Sequence, residues 1–238
     1  MTKAVIVQAR MTSTRLPGKV LMELGGTTVL DHVLTRCAAI PGTDKVCCAI
    51  PEGDRHDAVA AEAERCGAVV VRGAELDVLD RYHQAAQSLK ADIVMRVTSD
   101  CPLIDPGLCG EVLAMLLADD SADYAANNFS HRYPHGLDCE AFRFDALARA
   151  WKEATEEYDR EHVTPWLRRA PGIRRLSLDG PDPELGKLRW TLDYPEDLEF
   201  CRALFPLLGR DTPPWRETLR ISREHQDLNA INAIRRQR

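Results

Sequence analysis

The chain has 238 residues, 45% of them hydrophobic, and a formal net charge of −6. That length allows a self-sustaining α/β core, so neither disulfide staples nor a structural metal is required. The negative balance argues against broad nucleic-acid binding, which calls for a basic face, but permits a local cationic pocket.

Lys3–Gln8 reads as a buried strand. It empties into a polar loop, Ala9-Arg10-Met11-Thr12-Ser13-Thr14-Arg15-Leu16-Pro17-Gly18-Lys19, which carries three cations and several hydroxyls before Val20-Leu21 resumes the apolar pattern. Open α/β sheets place ligands at strand carboxyl ends. Three fixed positive charges can meet several phosphate oxygens at once, so the loop predicts a nucleoside triphosphate.

The spacing of Val29, Leu30, Val33, Leu34 and Cys37 predicts a helix over 28–39. Lys45–Ile50 reads as a strand broken by Pro51-Glu52-Gly53-Asp54, and 54–66 as a helix ending at Gly67. A short strand follows over 68–71, a helix over 77–90, a strand over 92–97 and a helix over 106–118. This alternation argues for a parallel sheet with helices on both faces and the ends of four strands on one edge. From about 122 the pattern changes. Residues 125–144 read as strands or a hairpin inside an insertion of about 125–170, followed by helices over 145–156 and 159–169. Strands are expected over 173–178 and 187–192. Pro195–Leu208 carries the Pro and acids of a helix start. Short helices are expected over 221–226 and 228–236, and the last four residues read as a solvated end.

The eight cysteines include no Cys-x-x-Cys pair, so zinc-site spacing is absent. They read as reduced thiols of a cytoplasmic protein. No apolar run approaches the ~20 residues of a membrane span, and Thr2-Lys3 leads straight into a strand rather than a signal peptide.

The segment Gln8–Lys19 resembles the signature of CMP-sugar-acid synthetases, the acylneuraminate and Kdo cytidylyltransferases, in wording closest to their spore-coat polysaccharide branch. Asp77-Val78-Leu79-Asp80-Arg81-Tyr82, Thr98-Ser99-Asp100-Cys101-Pro102-Leu103-Ile104, Tyr158–Pro165 and Trp190–Leu198 extend the resemblance over about residues 3–205. It implies a single domain over 1–238. The implied fold is a mixed, mostly parallel Rossmann-like sheet of the nucleotide-diphospho-sugar transferase type, with an inserted dimerisation and sugar-binding segment. It also implies a homodimer, CTP and a sugar acid as substrates, and a magnesium ion.

Under that resemblance Arg10, Arg15 and Lys19 neutralise phosphates. Asp100 and Asp193, each just beyond an expected strand, supply hard oxygens for Mg2+. Arg10, Lys19, Asp100 and Asp193 form the expected catalytic set. Ala9, Thr12, Ser13, Arg72, Asp80 and Ser99 join them around the nucleotide. His135, Glu140, Glu161 and His162 are expected at the sugar, with dimer packing as the competing use of the insertion. Asp105 and Asp197 are better explained as helix caps or helix-dipole partners, and Asp77 fits a simple cap of the helix it starts. Two rival readings are a glycosyltransferase of related fold and a noncatalytic nucleotide-binding subunit. Asp100 lacks the Asp-x-Asp partner common in the first, and the loop is richer in cations than a diphosphate requires. The second would lose a metal carboxylate or the lysine, and Lys19, Asp100 and Asp193 are all present.

Overall fold

Strand β1 (Lys3–Gln8) divides the core because its side chains alternate between two faces. Val5 and Val7 enter one apolar cluster, and Ala4 and Ile6 the other. The computed structural model describes residues 1–209 and 213–235.

After β1 the chain forms a two-stranded ribbon, β2 (Glu23–Leu24) and β3 (Thr27–Thr28), then α1 (Val29–Ala38). Thr28 caps α1 by accepting the Asp31 N–H. Next come β4 (Lys45–Pro51), α2 (Asp57–Arg65), β5 (Val69–Gly73), α3 (Val78–Leu89), β6 (Ile93–Thr98) and α4 (Pro106–Leu117). Asp77 and Asp105 cap α3 and α4 through their side chains. The second half contributes β7 (Tyr124–Ala126), β8 (Glu140–Arg143), α5 (Phe144–Glu153), α6 (Glu157–His162), α7 (Pro165–Arg169) and β9 (Arg175–Ser177). Helices α8 (Pro195–Leu208), α9 (Trp215–Glu224) and α10 (Leu228–Ile231) follow.

Seven strands form one sheet in the order β5-β4-β1-β6-β8-β7-β9. Pairings β1–β4, β1–β6, β4–β5 and β7–β9 are parallel, while β8 runs antiparallel to β6 and β7. This is the expected α/β class, a mostly parallel mixed sheet with helices on both faces. Leu30, Val33, Val59 and Val112 cover one face, and Leu79, Tyr82, Leu147 and Leu167 the other. A third apolar cluster centres on Trp190, Phe200, Leu204 and Trp215. No helix among the described residues is long and apolar enough to cross a membrane.

The expected strand over 187–192 does not form. Its first residue ends a 3-10 turn, Pro183–Lys187, and the rest shows a single isolated β-bridge, His135 to Arg189, in place of a ladder. His135 N–H donates to Leu188 O at 2.9 Å, and Trp190 N–H to His135 O at 2.7 Å. Gly136 explains the close approach: it has φ +113°, and a Cβ there would lie 2.6 Å from the Thr191 nitrogen. The expected helix over 159–169 is split at Val163, and that over 54–66 starts as a 3-10 turn, Asp54–His56. Helix α9 begins earlier than expected, at Trp215, whose N–H is held by Asp105 at 2.7 Å. Residues 236–238 of the expected solvated end lie outside the described residues. Arg235 is only half-exposed and packs 4.2 Å over the Tyr194 ring.

Candidate active site

Register brings two strand ends together. Gln8 lies opposite Thr98 in the β1–β6 ladder, so Ala9-Arg10 and Ser99-Asp100 leave the sheet side by side. The loop after β1 folds back on itself: Gly18, at φ +70°, donates its N–H to Met11 O at 3.0 Å. That turn starts the 3-10 segment Lys19–Leu21 and buries the Lys19 side chain.

Asp193 reaches the same point without a strand. Leu192 N–H donates to Asp100 O at 2.8 Å, and the Thr191 hydroxyl to the same oxygen at 3.1 Å. The Lys19 ammonium then sits among Asp100 Oδ2 at 3.1 Å, Asp193 Oδ1 at 2.9 Å and Leu192 O at 2.8 Å. Arg15 adds a 2.7 Å bond to Asp193 Oδ1, and Arg189 one of 3.2 Å to Asp193 Oδ2. The Thr98 hydroxyl donates to Asp100 Oδ1 at 2.6 Å. Burial by itself would lower the Lys19 pKa, but the two carboxylates outweigh it and hold the ammonium charged. Burial would likewise raise the Asp100 pKa, and Lys19 and the Thr98 hydroxyl hold it below the usual carboxylate range.

Two cavities meet at this cluster. The first, about 260 Å³, is lined by Ala9, Arg10, Ser13, Arg15, Lys19, Ser99, Asp100, Glu161, His162 and Asp193 among others. The second, about 470 Å³, is lined by His135, Asp138, Glu140, Tyr158, His162, Asn128 and Arg168 among others. Arg96, Thr98, Asp100, His162 and Asp193 line both and so form their common wall.

Three expected nucleotide residues lie outside both linings. Arg72 is turned to the α2 side of β5 by strand alternation and donates to Asp57 at 2.6 Å and Gly53 O at 3.3 Å. Asp80 sits two positions past cavity-lining Val78, rotated away on α3, and accepts from Gln84 at 2.6 Å and Trp151 at 2.7 Å. Thr12 donates its hydroxyl to Glu75 at 2.6 Å. Glu161 lies in the first cavity rather than the second. Glu140 lines the second, but its oxygens are engaged by Arg96 at 2.6 Å, Arg168 at 3.2 Å, Thr164 at 3.0 Å and the Tyr124 hydroxyl. It anchors two arginines, because a buried charge needs partners.

Arg96 and Arg189 were not singled out from the sequence. Arg96 left one signal, a lone cation in the apolar run Ile93-Val94-Met95-Arg96-Val97. Arg189 left none, since its role comes from the loop that carries Asp193. His162 is placed by a tight turn: Thr164 N–H donates to His162 O at 2.8 Å across Val163, which has φ +71° and ψ −54°. A β-branched residue there is strained by about 1–3 kcal/mol, and such strain gathers at functional sites. Burial pushes the His162 imidazole below its ordinary value, against the opposing pull of Glu161 and with the help of Arg96 and Arg10.

The arrangement combines a cavity lined by several cations, paired carboxylates and an imidazole facing a second polar cavity. A family profile described as Cytidylyltransferase matches residues 4–205. Spore coat polysaccharide biosynthesis protein SpsF of Bacillus subtilis is 32% identical over 211 residues, covering 86% of each chain. A 3-deoxy-manno-octulosonate cytidylyltransferase of Maricaulis maris is 37% identical over 130 residues, 52% of this chain and 48% of that protein. The solved structure of a cytidylyltransferase from Leptospira borgpetersenii superposes with a TM-score of 0.92 at 26% identity, covering 96% of this chain and 97% of its own.

Proposed function

The chain belongs to the cytidylyltransferase family, and on that premise we propose that it transfers CMP from CTP to a hydroxyl of a sugar acid for surface-polysaccharide synthesis. The acceptor oxygen bonds to the α-phosphorus of CTP, the bond from that phosphorus to the bridging oxygen breaks, and pyrophosphate leaves. The observation that carries this reading is the convergence of Lys19, from the first cavity, on Asp100 and Asp193, the two carboxylates of the wall common to both cavities. It supports a reaction between a polyphosphate on one side and a polar acceptor on the other.

Arg10, Arg15 and Lys19 neutralise charge as it gathers on the departing pyrophosphate. Asp100 and Asp193 supply the hard carboxylate oxygens that magnesium prefers. Those oxygens meet at the Lys19 ammonium, which an ion would have to share them with or displace. When bound, the ion would supply further neutralisation of the phosphates and polarise the reacting one. His162 faces the acceptor cavity in its neutral form and accepts the hydroxyl proton. Arg168 and Asn128 line the acceptor cavity with donors suited to hydroxyl and carboxylate oxygens. The names of the SpsF and Kdo relatives support a polysaccharide setting and an acidic sugar. All eight cysteines are free and seven are buried, which fits a reducing compartment such as the cytoplasm. A homodimer would place the second half of the chain at its interface, as the family resemblance implies.

Incubation with CTP, Mg2+ and a panel of 3-deoxy sugar acids, with pyrophosphate release measured, tests the reading. Release that depends on CTP and on one sugar acid is expected. Turnover only with another nucleotide, or with a finished nucleotide sugar, overturns it.

A further inference from the structure

The family match ends at residue 205, yet the chain beyond it returns to the site. Asn232, just after α10, is 1% exposed. Its amide nitrogen donates to Arg189 O at 2.9 Å and to Asp197 Oδ1 at 3.0 Å. Asp197 is fully buried, and its Oδ2 accepts the backbone N–H groups of Asp193 and Tyr194, each at 3.0 Å. Arg189 grips both Asp197 oxygens at 2.8 Å and reaches Asp193 Oδ2 at 3.2 Å. One neutral amide thus ties the backbone of Arg189 to the carboxylate that orients Asp193. Arg235 holds the same loop from outside through the Tyr194 ring and a 3.1 Å bond to Glu196.

We infer that Asn232 is a positioning residue, holding the Asp193 carboxylate in register with Asp100 and Lys19 from a C-terminal segment that lies beyond the family match. The inference rests on the reading of Asp193 as a ligand for a divalent ion. The amide nitrogen suits this place, although the amide oxygen is buried with no hydrogen-bond partner among the described residues. The two N–H groups serve two acceptors, and the amide adds no charge beside Asp197 and Arg189. A carboxylate there would repel Asp197, and an alkyl group would leave both acceptors one donor short. Groups that orient metal-binding side chains are worth about 10–100-fold in metal affinity.

The test compares wild type with Asn232→Ala, and with Asn232→Ser as a milder change that still folds if the first does not. Two readouts are taken. Hydrogen exchange should quicken across residues 190–198 and stay unchanged in Lys3–Gln8 and Ile93–Thr98. The Mn2+ concentration that half-saturates CTP binding should rise about tenfold, with CTP affinity at saturating Mn2+ little altered. A purely structural role would lower the melting temperature and leave the Mn2+ requirement alone, and that result overturns the inference. So does exchange that is unchanged, or accelerated equally throughout. If wild type fails to bind CTP with Mn2+, the proposed function falls, and the exchange result alone decides whether Asn232 holds the loop.

Discussion

Lys19 compensates two carboxylates that would otherwise repel each other across the site. Removing either acid changes both the charge balance and the donors available to a metal. Asp100→Asn and Asp193→Asn should each lower turnover about 100-fold or more, on the scale of a lost electrostatic contact at a reacting centre. Steady-state rates within a few-fold of wild type would contradict both roles. His162 sets a pH expectation. Burial holds its imidazole below the ordinary histidine range, so the neutral form persists at neutrality, and kcat/KM should fall only as pH drops through that depressed range. His162→Gln should remove this acid limb along with most of the rate, and an unchanged limb would assign it to another group. Glu140 sets a stability expectation. Burial would raise its pKa, but Arg96 and Arg168 outweigh this and hold it low. Its contribution is therefore present above the unfolded value of about 4.3 and lost as pH falls through the folded value. Glu140→Gln should flatten the acid side of the melting curve against pH. It should also destabilise the protein at pH 7 by about 3–5 kcal/mol, because Arg96 is left buried and under-compensated. Wild-type melting in the Glu140→Gln variant, at pH 7 and on the acid side alike, would refute the pairing. At this scale Arg10 and Asp100 were readable because each follows an apolar run that ends abruptly, and Lys19 because it closes the cation-bearing loop where the apolar pattern resumes. Glu140 was readable as an insertion residue but not as an anchor, since its partners are far away in sequence.

The elements show where pattern reading succeeds. Strands β1 and β6 and helices α1, α3 and α4 have unbroken apolar periodicity and clear caps, and they lie within a residue or two of expectation. The segment over 187–192 has an apolar pattern too, but it docks instead of pairing as a strand. Its apolar residues Trp190 and Leu192 serve the third cluster rather than a sheet face. Gly136 makes that docking possible by letting two backbones touch. Gly136→Ala combines an unfavourable φ with a backbone clash, so it should push the 188–193 segment away from Asp100. The expected result is a loss of about 1–3 kcal/mol in stability and a larger loss of activity than the stability change explains. Denaturant unfolding together with kcat/KM checks this, and full activity in a folded variant would show that the close approach is dispensable. Val163 splits the expected 159–169 helix. Pro165 inside that stretch was the sign of a break, because it opens the second helix at its first position, but no local residue marks the turn at the valine itself. A γ-turn centred on valine is set by the contacts of His162 and Thr164, not by local propensity.

For the molecule as a whole, a chain of net charge −6 concentrates arginines and a lysine around one cavity. The parallel sheet makes this possible by delivering β1 and β6 to one edge, and the third apolar cluster brings the Asp193 loop against them. The fold class was legible because strand–helix alternation leaves few topologies. The meeting of Asp100 with Asp193 was suggested by their like positions after apolar runs. The part of Asn232 and Arg189 was not, because it depends on a three-dimensional return of the chain. In the proposed reaction the Lys19–Asp100–Asp193 cluster presents the α-phosphate of CTP to an acceptor in the adjoining cavity. Following label from α-³²P CTP and γ-³²P CTP with a reactive sugar acid tests it most directly. The α label should appear in the sugar product and the γ label in pyrophosphate, and both should be lost in Asp100→Asn. Release of γ label as orthophosphate, with the α label left in CDP, would contradict it.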